Sequence, residues 1–124
     1  WQGRFKAFPC QDDDHVVTLL RYVERNALRA SLVSRAEDWP YGSLHTATGH
    51  SSPIELTPGP LARNAAWINR VNKPLSDAEL DALRHCVARG TPFGAENWVS
   101  KTATSLGLES SVRPRGRPRK TASA

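Results

Sequence analysis

Apolar residues recur at helical spacing in several stretches of the chain, and the stretches are punctuated by proline, glycine and acidic runs. Val16, Val17, Leu19, Leu20 and Val23 form one stripe at 100° per residue, which predicts a helix over 15–26. "DDD" at 12–14 supplies its N-cap and acids at the positive end of the helix. A second short helical piece is expected over 28–36, ended by "DWPYGS". A third candidate is "LARNAAWINRV", over 61–71. The clearest helix lies in "PLSDAELDALRHCVARG". Ser76 and Glu79 have capping-box spacing, Leu80, Leu83 and Val87 share a face, and Gly90 is placed to end it. "AENWVSKTATSLGLE" reads as one more helix, with Gly107 closing it.

Two segments fall outside the helical pattern. "QGRFKAF" near the start reads as a short strand, and residues 45–60 read as loop, rich in Ser, Thr, Gly and Pro. The last two predicted helices are joined by "TPFG". A helix-turn-helix pair and a plain helical hairpin both fit that spacing. The expected second helix of the pair carries Lys101 as its only positive charge.

Hydrophobic residues make up 39% of the 124 residues, low enough to suggest that part of the chain is not packed. No apolar run approaches the roughly 18 residues of a membrane helix. Cys10 and Cys86 are far apart in sequence and read as reduced thiols, which makes the cytoplasm the expected compartment. The net charge of +5 is concentrated at one end. "VRPRGRPRK" holds Arg113, Arg115, Arg117, Arg119 and Lys120; without these five, twelve basic residues balance twelve acids. A neutral body with a cationic arm suits a polyanionic partner. The arm looks like an AT-hook. Its prolines keep it extended, Gly116 lets the backbone approach a narrow groove, and Arg115 and Arg117 splay along an A·T-rich floor. A disordered solubilising tail is the plainer alternative.

Within the first predicted helix, Tyr22 lies about 135° from the centre of the apolar stripe, on one edge with His15 and Asn26. On spacing alone, Tyr22 is a half-wet packing residue. Arg21, Arg25 and Arg29 line a flank at i, i+4, i+8. That flank is either a solvated face, with Glu24 pairing with one arginine, or a track for a DNA backbone.

Taken in order, "WQGRFK", "DDDH", "RYVERNALRASLV" and "AEDWPYGSL" resemble the C-terminal half of the catalytic domain of REP-associated tyrosine transposases, which belong to the single-tyrosine HUH transposases. "WINRVNKPLSDAEL", "RGTPFGAENWV" and "LGLESSVRPRGRPRK" resemble the C-terminal extension of the same group. The resemblance implies an α+β fold: the remnant of a ferredoxin-like domain over 1–50 with one short strand and the tyrosine helix, a helical extension over 51–108, and a disordered basic tail over 109–124. It implies a bacterial, nucleoid-associated protein acting on single-stranded or hairpin DNA. Tyr22 takes the position of the nucleophile that forms a 5′-phosphotyrosine link. Asn26 takes that of an accessory ligand to Mg²⁺ or Mn²⁺.

The chain departs from the family pattern in places. Ala27 stands for Pro, Ser31 for Gly and Gly42 for Ser. The His-hydrophobe-His metal pair does not occur among His15, His45, His50 and His85, and the chain has no methionine. Together these lead to the expectation of a fragment whose metal motif lies upstream, inactive alone. The rival expectation is a DNA-binding protein without catalysis.

Overall fold

The computed structural model describes residues 6–117. Among them the chain is mostly helical with almost no strand. The order is α1 (Asp14–Glu24), α2 (Asn26–Arg29), a 3₁₀ turn (Ala36–Asp38), α3 (Ser43–Ala47), α4 (Ala65–Asn72), α5 (Asp77–Arg89), α6 (Glu96–Leu106) and α7 (Glu109–Val112). Residues 2–5 of the expected strand lie outside the described residues, and residues 6–8 form no strand. Just after them, a parallel bridge joins Cys10 to Phe93. It is held by Phe93 N–H to the Pro9 carbonyl and Gln11 N–H to the Phe93 carbonyl, at 2.8 and 2.9 Å.

Local chemistry sets the helix ends. Asp13 caps α1 by accepting from the His15 backbone N–H. Ser76 and Glu79 form both bonds of the capping box on α5, and Gly90 ends it in the left-handed region. Gly107 does the same for α6. The expected helix over 28–36 is instead two short pieces. The chain reverses at Ser31, whose φ of 60° no helix interior accommodates. Residues 45–47 of the expected loop belong to α3 instead.

Two hydrophobic clusters make the core. Ala36, Leu44, Trp67 and Val71 form the first, with Val17, Leu20 and Leu28 against it. Leu75, Leu83, Cys86 and Phe93 form the second, with Cys10, Leu19 and Tyr22 against it. Both clusters draw residues from either side of position 50, so the expected boundary there does not divide the core. The tail also starts later than 109. Ser111 is buried, its carbonyl accepts from Thr91 Oγ1 at 2.8 Å, and Arg89 donates to the Ser110 carbonyl.

Helix α5 packs chiefly on α1, and α6 on α7. The "TPFG" segment between α5 and α6 is a buried connection, with Thr91, Pro92 and Phe93 all inside. A compact helix-turn-helix pair is therefore not the principal packing here. Cys10 and Cys86 are free thiols, as expected, and burial raises the pKa of both. No helix among the described residues is long and apolar enough to cross a membrane.

Candidate functional site

Helix α1 carries the residues of interest, and Val17, Leu19 and Leu20 of its predicted stripe face the core while Val23 does not. Val23, on the apolar stripe, is 56% exposed. The inward face runs from Val17 and Leu20, on the first cluster, round to Leu19 and Tyr22, on the second. Between these flanks lie Arg21 and Arg25. Arg21 donates Nε to the Arg70 carbonyl and Nη2 to the carbonyls of Lys73 and Pro74, each at 2.9 Å. Arg25 donates Nη1 to the carbonyls of Val71 and Asn72, at 3.1 and 2.5 Å. These acceptors sit at and just past the C-terminal end of α4, where helix carbonyls lack partners and a positive charge is favoured. Burial, with Arg21 and Arg29 nearby, lowers the pKa of Arg25.

The flank expected to be solvated or to follow DNA is thus an internal clamp on α4 for Arg21 and Arg25. Periodicity missed this because it reads arginine as polar. Here the aliphatic stems cross the core margin while the guanidinium heads cap a helix some fifty residues away.

Glu24 does not pair with the neighbouring arginines. Its side chain is only 2% exposed, and Oε1 accepts from Arg63 Nε at 2.6 Å and Ser43 Oγ at 3.1 Å. Oε2 accepts from Trp67 Nε1 at 2.8 Å. Three donors satisfy a carboxylate that would otherwise be costly to bury. Nothing in the local pattern around Glu24 signals this role, because its partners lie far along the chain.

The expected edge of His15, Tyr22 and Asn26 is partly covered. His15 meets Phe93 edge-on, with centroids 4.9 Å apart, and its Nδ1 donates to Asp13 Oδ1 at 2.7 Å. Tyr22 is half-buried. The guanidinium carbon of Arg29 lies 4.4 Å from its ring centroid, a cation–π contact. Arg29 Nη2 also donates to Asn26 Oδ1 at 2.6 Å. Arg29 therefore joins Tyr22 to Asn26, while its Nη1 is buried and meets no acceptor among the described residues.

A divalent metal does not fit this arrangement. The amide oxygen of Asn26, the atom a hard cation would need, is engaged by a guanidinium. Among the described residues, no group of three or more His, Cys, Asp or Glu could hold an ion. The tail residues Arg113, Arg115, Gly116 and Arg117 are exposed. Arg119 and Lys120 lie outside the described residues.

Comparison with protein families, curated proteins and solved structures returns no match for this chain.

Proposed function

We propose that this chain is a DNA-binding part of a REP-associated tyrosine transposase in which Tyr22 is the nucleophile toward single-stranded or hairpin DNA. The observation that supports it most is Arg29. Its guanidinium lies over the Tyr22 ring and keeps one nitrogen without an acceptor. That nitrogen is buried, so a phosphate oxygen meets it only once the guanidinium turns off the Tyr22 ring, where guanidinium–phosphate bonds are charge-assisted. In the step itself, the phenol oxygen of Tyr22 attacks phosphorus and forms a P–O bond. The bond from phosphorus to the 3′ oxygen breaks, and the phenolic proton leaves as the 3′ hydroxyl forms. The ester energy is kept in the 5′-phosphotyrosine, so strands can be rejoined without an external energy source. Arg29 would hold the phosphate, and the cationic tail would hold flanking DNA.

A second reading is favoured by Asn26, whose oxygen is engaged by Arg29. On that reading the chain binds DNA without cutting it. The two part on one experiment. A labelled single-stranded oligonucleotide is incubated with the protein and Mg²⁺, then run on a denaturing gel. A covalent adduct that disappears in Tyr22→Phe supports the nucleophile. An adduct unchanged in Tyr22→Phe sinks that assignment. Native-gel binding with no adduct supports the second reading.

A further inference from the structure

The clamp of Arg21 and Arg25 on α4 changes the surface above it. Five successive backbone carbonyls, those of Arg70, Val71, Asn72, Lys73 and Pro74, accept from these two guanidinium groups. The C-terminal end of a helix ordinarily carries a partial negative charge, which repels anions. Here two full positive charges cover it. The side chains of Arg70 and Lys73 leave the same stretch of backbone and are exposed. Among the described residues, neither meets an acid within ion-pair range.

Four cations therefore gather at the end of α4. Glu37, on the side of the 3₁₀ turn, is paired to Arg35 at 2.6 Å and accepts from Asn72 Nδ2 at 2.8 Å, so that pair is neutral. Glu79 lies 4.0 Å from Arg21, and its Oε2 also accepts from the Ser76 N–H at 2.9 Å. Counting Glu79 and the exposed Asp77 of α5 against the four cations leaves an excess of two positive charges. An exposed surface with such an excess suits a polyanion. The stretch also runs close to the tyrosine. Leu75, two residues beyond Lys73, is buried in the cluster on which Tyr22 packs.

We infer that the C-terminal end of α4 is a contact surface for phosphates of the bound DNA strand, with Arg70 and Lys73 as the contacting side chains. The inference rests on the DNA-binding reading given above. It assigns a place of contact apart from the tail and from Arg29. Arg21 and Arg25 do not reach the strand themselves, because their heads are engaged by carbonyls; they hold the backbone from which Arg70 and Lys73 project. Contacts of this kind fix where a strand lies and carry no base preference.

The test uses the full chain and fluorescence anisotropy with a labelled single-stranded oligo-dT at several salt concentrations. Loss of two single-strand phosphate contacts makes the slope of log affinity against log salt shallower by about 1.4. The double variant Arg70→Ala with Lys73→Ala should show that change. Arg70→Lys with Lys73→Arg should keep the parent slope. Both variants keep the fold, because only the backbone carbonyls of these residues join the clamp. Arg84→Ala removes an exposed cation of α5 and should leave the slope unchanged. A parent slope in the double alanine variant, or a loss of the same size per charge in Arg84→Ala, would overturn the α4 surface while DNA binding stands. Failure of the parent chain to bind at low salt would overturn both.

Discussion

The guanidinium of Arg25 lies 2.5 Å from the backbone carbonyl of Asn72, and this bond ties the tyrosine helix to the end of α4. The same nitrogen also serves the Val71 carbonyl, so one side chain satisfies two acceptors in the last turn of a helix whose core residue Val71 is wholly buried.

Replacing Arg25 by alanine strands both carbonyls. A hydrogen bond from a charged donor is worth roughly 1.5–3 kcal/mol, so Arg25→Ala should lower the unfolding free energy by about 2 kcal/mol. Urea unfolding measures it. Arg25→Lys should recover only part, because an ammonium lacks the planar fork. A loss no larger than that of an exposed arginine would mean the clamp is not made in solution.

The pair of Glu24 and Arg63 is inside the fold, so cutting it is costlier than cutting a surface bridge. Glu24→Ala should destabilise by about 3 kcal/mol, since it leaves Arg63, Trp67 and Ser43 without their acceptor. A double-mutant cycle with Arg63→Ala should show strong coupling. Additive effects would mean that the two side chains act independently.

Ser31 occupies the backbone region that glycine adopts freely, with φ at 60°. It is also the position where the resembled family pattern carries glycine. A non-glycine residue there costs roughly 1–2 kcal/mol, part of which glycine gives back as unfolded-chain entropy. Ser31→Gly should therefore stabilise by about 0.5–1 kcal/mol. A rise in thermal midpoint is the expected result, and Ser31→Val should lower it.

Stability should fall with acid through Glu37. Desolvation raises its pKa, but the bonds from Asn72 and Arg35 outweigh that and hold it below the ordinary glutamate value. With the folded value depressed, the contribution is full above the unfolded value, about pH 4.3, and is lost as pH falls through the folded one. Glu37→Gln should remove that share, so the mutant and parent curves of stability against pH should converge as pH falls through the depressed folded value. Parallel curves through that range would rule Glu37 out as the group responsible.

Deleting residues 113–124 removes five positive charges and no acid. If all five contact phosphates of a single strand, the slope of log affinity against log salt should become shallower by roughly 3.5. Binding isotherms at several salt concentrations give that slope. An unchanged slope would show that the tail stays clear of DNA.

What the sequence disclosed and what it hid divide along a physical line. The ends of α5 and α6 were legible because Ser76, Glu79, Gly90 and Gly107 act within one turn of themselves. The clamp of Arg21 and Arg25 was not, because its partners are backbone carbonyls of residues 70–74, which no side-chain pattern marks. The edge holding Tyr22 and Asn26 was legible as a spacing. That Arg29 bridges them was not, since i+3 and i+7 neighbours compete for the same guanidinium. The Glu24 site escaped for a related reason: an acid beside three arginines invites local pairing, yet its partner is 39 residues away.

Among the described residues, helix α1 is the only element that lends side chains both to the Trp67 cluster, through Val17 and Leu20, and to the Leu83 cluster, through Leu19 and Tyr22. Neither cluster has more than four buried residues of its own. Each half leans on the same eleven-residue rod, so neither can melt without loosening the other. The segment that presents the phenol is then also the hinge pin of the molecule, and the amides of α1 should exchange with solvent only when the whole chain opens.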